Sequence, residues 1–524
     1  MARVSRRILP AALGVTMVAG CGGAAGSRGA EVVNSARPST SSSAAASSGA
    51  ADPALEPFYG QQIAWATCPD DPTRKGVDEA DFQCATLHVP LDYTHPGGDT
   101  VDIAVVRRPA AQPGQRLGAL VVDPGGPGGS GIQEVTLDGK QFSGLTDRYD
   151  LVGFDPRGVG KSTAVHCLGD QARDQWDTDD HPAQPKGTTL AQACQANSGK
   201  LLPFVGTADA ARDMDVLRGA LGDPRLNYLG SSYGTYLGSV YAEEFPDRTG
   251  RLVLDGAMDP SMDLLDQDVQ QTIAFEGVFE RFAKDCTTQA RCPLGKDPAG
   301  AAQRLGDFLD GLDARPMTAT DGRKLTASQG WTGTLGMLYG DAKSWEYLRD
   351  GLDWAMNGNK ADYLLEFADD YNGRDTGGHY SNELDAYAAI TCADHSGEGI
   401  PSDGRVQQAV QQLHEQAPLL TKHYTTDDLF DPDCRNWPFK STAQPHAIRA
   451  AGSAPILVVG STGDDATPYA WAQKLASGLA NATLLTRDGD GHTGYGKSAC
   501  IQTDVNAFLL DGTMPPAGTH CPTS

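Results

Sequence analysis

Leu226-Asn227-Tyr228-Leu229-Gly230-Ser231-Ser232-Tyr233-Gly234-Thr235-Tyr236-Leu237 changes its periodicity in the middle. Its first four residues read as a short strand. From Tyr233 to Phe245, with Tyr236, Leu237, Val240 and Tyr241, the pattern is that of a helix. Between the two lies Gly230-x-Ser232-x-Gly234. A serine presented on so sharp a strand-to-helix turn takes strained dihedrals, and glycines two before and two after let the backbones pass without Cβ clashes. The string alone is common by chance in a chain with 62 glycines; its strand and helix are what single out Ser232.

Working outward, short runs rich in Val, Leu and Ile read as buried strands at 85–89, 101–106, 117–122, 149–154, 251–254, 456–459 and 483–485. Ala210, Met214, Leu217 and Leu221 recur at helical spacing. Residues 259–450 carry helical patterns such as Phe275 to Phe282 and Trp345 to Trp354. The expectation is a three-layer α/β sheet, residues 56–258 and 451–524, interrupted by a large, mostly helical cap at 259–450.

A serine hydroxyl needs a general base. His492 stands in Asp488-Gly489-Asp490-Gly491-His492-Thr493, after the last predicted strand. The preceding strand runs into Gly463-Asp464-Asp465-Ala466-Thr467-Pro468, where either aspartate could orient the imidazole. An oxyanion hole needs unobstructed backbone N–H groups. Asp123-Pro124-Gly125-Gly126-Pro127-Gly128-Gly129-Ser130-Gly131 supplies such a loop, and Gly126 and Tyr233 are the expected donors. Gly158-Val159-Gly160-Lys161-Ser162 imitates the end of a P-loop, but Asp155 stands where its first glycine is required. No cofactor is expected.

The N-terminus carries different information. Arg3, Arg6 and Arg7 precede an apolar run from Ile8 to Ala19, too short for a permanent membrane span. It ends in Val18-Ala19-Gly20-Cys21, which resembles a lipoprotein signal. The expectation is a signal peptide at 1–20, lipidation of Cys21, and a Ser/Ala/Gly-rich tether over 21–55. Ten of the eleven cysteines then remain, and pairing neighbours in order gives 68–84, 167–194, 286–292, 392–434 and 500–521. Their spacing fits no zinc motif, so no metal is expected. A formal charge of −25 argues against nucleic acid as a partner.

Together, PGGPGGSG at 124–131, DLVGFDPRGVGKS at 150–162, LGSSYGTYLGSVYAEEFP at 229–246, LDGAMDP at 254–260, DDATPY at 464–469, Cys434-x-x-Trp437-Pro438 and GDGHTGYG at 489–496 resemble the tripeptidyl-aminopeptidase-like branch of the α/β-hydrolases, related to proline iminopeptidases. The resemblance spans roughly 60–521 and lies nearest to mycobacterial envelope lipoproteins. It implies the chain order Ser232, Asp464, His492 for the triad. In the family the acid opens a D-x-x-T-P string, which selects Asp464 over Asp465 and gives Thr467 a supporting role. The proline usual after the acid is Asp465 here. The resemblance implies an exported serine hydrolase that releases short peptides or residues from free N-termini; some members are esterases. Peptides or small esters are thus the expected partners, with the membrane reached through the lipid. A free amine needs a nearby carboxylate, and Asp394 in the cap is the candidate.

Overall fold

The computed structural model describes residues 53–69, 81–180, 182, 186–399, 401–426, 429 and 432–522. The signal peptide, Cys21 and nearly all of the tether therefore lie outside the described residues.

Ten strands form one sheet: β1 (Ala66–Thr67), β2 (Gln83–Pro90), β3 (Thr100–Arg108), β4 (Gly118–Asp123), β5 (Tyr149–Phe154), β6 (Leu226–Ser231), β7 (Thr249–Asp255), β10 (Ile456–Gly463), β11 (Ala482–Asp490) and β12 (His520–Cys521). A separate ribbon pairs β8 (Met317–Thr318) with β9 (Lys324–Leu325). The sheet order is β1-β2-β3-β5-β4-β6-β7-β10-β11-β12. β1, β2 and β3 pair antiparallel, β3 joins β5 antiparallel, and every pairing from β5 to β12 is parallel.

The continuous apolar runs are explained by two covered faces. Val121, Val152, Tyr228, Leu252, Leu254 and Val458 face one core, beside the helices Thr207–Ala220 and Tyr233–Glu244. Their neighbours Leu120, Val122, Leu151, Leu229, Val253 and Leu457 face another, closed by the helices Gly131–Leu137 and Ala499–Asp511. Period-2 alternation thus feeds both faces with apolar side chains.

Between β7 and β10 the chain leaves the sheet. The 25-residue helix Leu264–Thr288 opens this insertion, and Ala301–Ala314, Ala327–Leu338, Trp345–Met356, Asp362–Tyr371, Glu383–His395 and Asp403–Gln416 follow. It has a core of its own around Phe275, Phe279, Phe282, Trp331 and Trp345.

A second excursion escapes sequence reading. Helices Asp170–Thr178 and Lys186–Ser198 stand between β5 and β6 and pack toward the insertion. Arg374 Nε donates to Asp174 at 2.9 Å, and the Asp180 carboxylate accepts from the amides of Ala327 and Ser328, both at 3.2 Å.

The five disulfides join Cys68–Cys84, Cys167–Cys194, Cys286–Cys292, Cys392–Cys434 and Cys500–Cys521. Among the described residues no helix is long and apolar enough to cross a membrane.

Candidate active site

Ser232 sits between β6 and the helix Tyr233–Glu244, with φ 56° and ψ −125°. A left-handed φ on a residue with a Cβ is strained, and the surroundings hold it there. Ser232 N–H donates to Asp255 O at 2.8 Å. A Cβ on Gly230 would lie 2.4 Å from Gly234 O, and one on Gly234 would lie 2.8 Å from Asp123 Oδ1. Both glycines of the motif are therefore steric necessities.

His492 follows β11 and Asp464 follows β10, so both loops leave the carboxyl edge of the parallel strands, as the turn at Ser232 does. His492 Nδ1 lies 2.9 and 3.0 Å from the two Asp464 carboxylate oxygens. Asp464 is fixed in turn by the amides of Ala466, Thr467 and Thr493, at 3.1, 2.8 and 3.1 Å. Thr467 Oγ1 lies 3.3 Å from His492 Nδ1. With Nδ1 facing the carboxylate, Nε2 is the nitrogen left to act as base, and it has no hydrogen-bond partner among the described residues. Ser232 and His492 are 4% and 2% exposed, so both side chains sit away from bulk water.

Gly256, just after β7, stands against His492. It adopts φ +67°, and a Cβ there would come within 2.9 Å of His492 Cε1. Any larger residue would push the imidazole out of place.

The glycine loop after β4 passes close to Ser232. A Cβ on Gly125 would lie 2.3 Å from Ser231 O and 3.0 Å from Tyr233 N. Tyr233 N–H opens its helix, where no carbonyl one turn earlier can receive it. Neither it nor Gly126 N–H has an acceptor among the described residues. Gly126 has φ +111°, and a cis peptide links it to Pro127. Asp123 Oδ1 anchors the loop by accepting from Gly125 N–H at 2.8 Å, and burial pushes that carboxyl up to about 7.

This arrangement can support acyl transfer: a strained hydroxyl, a buried histidine backed by a carboxylate, and two open amides. Residues 408–521 match the family model described as TAP-like protein. Serine protease Hip1 of Mycobacterium tuberculosis is 38% identical over 490 residues, 89% of this chain and 92% of that protein. Carboxylesterase B of Mycobacterium tuberculosis is 38% identical over 454 residues, 84% and 86% of the two chains. Tripeptidyl aminopeptidase of Streptomyces lividans is 31% identical over 473 residues, 84% and 83%. The chain belongs to the TAP-like α/β-hydrolases. It is an enzyme, a serine hydrolase.

In this TAP-like hydrolase Asp394 lies on the insertion helix Glu383–His395 and lines a cavity with Tyr236, Asp259, His395 and Glu398. Its carboxylate accepts from Thr207 N–H at 2.8 Å and from Thr207 Oγ1 at 2.5 Å. Thr207 Oγ1 is also 2.5 Å from the Tyr233 hydroxyl. Asp394 therefore ties the insertion to the residue that follows Ser232. Burial raises its carboxyl above the ordinary range.

Asp465 is fully buried, and neither carboxylate oxygen has a hydrogen-bond partner among the described residues. Desolvation, then the adjacent Asp464 charge, raise it well above an ordinary aspartate. At the P-loop decoy, Lys161 N–H and Ser130 Oγ donate to the Asp155 carboxylate at 2.7 and 2.5 Å, which makes that turn a brace for the glycine loop.

Sequence reading missed Asp255. Its backbone carbonyl holds Ser232, while its carboxylate accepts from Gly494 at 2.9 Å and Tyr495 at 2.7 Å. One residue thus links the Ser232 turn to the His492 loop. The available signal was an aspartate closing the otherwise apolar Leu252-Val253-Leu254, just as Asp123 closes β4.

Proposed function

We propose that the chain is an exported, lipid-anchored aminopeptidase that removes short peptides or residues from free N-termini through an acyl-enzyme. Ser232 is the nucleophile, His492 the general base and then acid, and Asp464 the orienting carboxylate, with Thr467 beside it. Gly126 and Tyr233 amides receive the oxyanion. The observation that carries this reading is His492, held at Nδ1 by Asp464 with a buried Nε2 left open, on the same sheet edge as a serine at φ 56°.

The peptidase choice draws on the acidic cavity at Asp394. Asp259, Asp394 and Glu398 line it, and His395, paired with Glu398, is the one basic lining group among the described residues. A substrate ammonium would be stabilised there. The helices over 259–450 act as a cap that admits short or flexible chains and excludes folded protein. The export reading draws on the Val18-to-Cys21 string and on five disulfides, which persist in oxidising compartments.

Tripeptide anilides with free and acetylated amines, run beside short-chain esters, test the reading. Preferred cleavage of the free-amine peptides, abolished in Ser232→Ala, is expected. Equal rates on the acetylated set would overturn the aminopeptidase. A cap-gated carboxylesterase is the second reading, favoured by the 38% identity to carboxylesterase B, and it predicts ester hydrolysis without peptide cleavage.

A further inference from the structure

The loop that carries His492 has its backbone sorted by charge. Its carbonyls turn to two cationic side chains. Arg487, in the last half of β11, donates from Nη2 to Asp490 O at 2.9 Å and from Nη1 to Gly491 O and Thr493 O, each at 3.1 Å. Lys497 Nζ donates to the carbonyl of His492 itself. Four consecutive carbonyls, 490 to 493, are thereby received by cations. The amides run the other way: Thr493 N–H goes to Asp464, and those of Gly494 and Tyr495 go to Asp255.

Arg487 is only 3% exposed and forms no ion pair with a carboxylate among the described residues. A guanidinium buried without a counter-charge is costly unless its donors are satisfied, and the loop carbonyls, with Ser461 Oγ at 3.3 Å, perform that task. A strand needs no such group to hold its own end. The loop, by contrast, contains Thr493 at φ +65°, a conformation that relaxes unless its neighbours impose it.

We propose that Arg487 and Lys497 are positioning residues for His492, clamping its loop from the carbonyl side while Asp464 and Asp255 hold the amide side. This rests on His492 being the base. The clamp leaves the imidazole one orientation, with Nδ1 on Asp464. Holding that orientation leaves Nε2 to take the Ser232 proton and, as imidazolium, to return it to the leaving amine. The other charged groups near this loop among the described residues include Asp464, Asp465, Asp255, Asp341, Glu134 and the Arg281–Asp490 pair. They are unchanged in the variants below, so a change in kcat reports the clamp.

The test uses the full chain with Arg487→Met, Arg487→Lys, Lys497→Met and His492→Gln, each scored for its folded fraction by circular dichroism and thermal melting, which do not depend on a reactive Ser232. On a tripeptide anilide, Arg487→Met should lower kcat at least about tenfold with KM within about twofold, the signature of a loss confined to the transition state. Lys497→Met should move both quantities the same way. Arg487→Lys, which keeps a cationic donor for the loop carbonyls, should restore part of kcat. Unchanged kcat in both Met variants would overturn the clamp, as would a loss fully explained by fewer folded molecules. An active His492→Gln would instead remove the base assignment; an inactive one beside indifferent Met variants overturns the clamp alone.

Discussion

Asp464 holds His492 Nδ1 against both of its carboxylate oxygens, at 2.9 and 3.0 Å, while three backbone amides hold Asp464. The carboxylate's orientation is therefore set before substrate arrives. Asp464→Asn keeps the size but offers an amide that can present N–H to Nδ1, which favours the wrong tautomer. The expected result is a fall in kcat of about 10³ to 10⁴, with near-normal KM, on a tripeptide anilide. A loss under tenfold would show that Asp464 does not orient the base.

Ser232 stores strain in the folded state. Ser232→Ala should abolish turnover while leaving folding intact, since Ala keeps the same Cβ at φ 56°. Ser232→Gly should be equally inactive but more stable than Ser232→Ala by about 1 kcal/mol, because glycine adopts a positive φ without steric cost. Thermal unfolding of the two variants side by side checks this. Equal stabilities would mean that the turn is not strained.

How far these relationships could be read beforehand depends on their range. The elbow was legible because its needs are local: a strand, a helix, and glycines where Gly230 and Gly234 would otherwise collide with backbone or carboxylate. The strands β4, β6, β10 and β11 were legible for a similar reason, since each is an apolar run ending in a polar loop. Residue type alone left Asp464 and Asp465 equal, because adjacent identical residues differ only in where the fold turns them; the D-x-x-T-P string of the family resemblance made the choice of Asp464. The helices at 170–198 were hidden by their polarity. Asp-Gln-Ala-Arg-Asp-Gln-Trp-Asp-Thr has no apolar stripe, and partners such as Arg374 and Ala327 lie far along the chain. Arg487 was hidden too, because its acceptors are carbonyls, which carry no residue signature.

Asp394 stands where two roles make different predictions. As an ammonium anchor, Asp394→Asn should raise KM for free-amine peptides about tenfold or more and leave ester hydrolysis within about twofold, since a charge-assisted hydrogen bond is lost only with the amine. The Thr207 contacts survive in this variant in part, because the amide oxygen can still accept from Thr207 N–H. Parallel losses on both substrates would instead assign Asp394 to bracing Tyr233 through Thr207. Michaelis profiles on the two substrate classes distinguish these outcomes.

Asp465 should register in stability. Desolvation, then the charge of Asp464, raise its folded-state pKa, so the folded chain keeps a proton that the unfolded chain releases above about pH 4. The native state then binds more protons, and stability must fall as pH rises from there toward the raised folded value. Asp465→Leu removes both the titration and the buried carboxyl that lacks partners among the described residues. The variant should therefore unfold at a higher temperature than the parent, by a margin that widens from pH 5 to pH 8. Thermal melts at the two pH values, in a Ser232→Ala background to prevent autolysis, measure that margin. A margin that stays constant or narrows would mean that Asp465 is ionised in the folded enzyme, with a charge partner supplied by some other group.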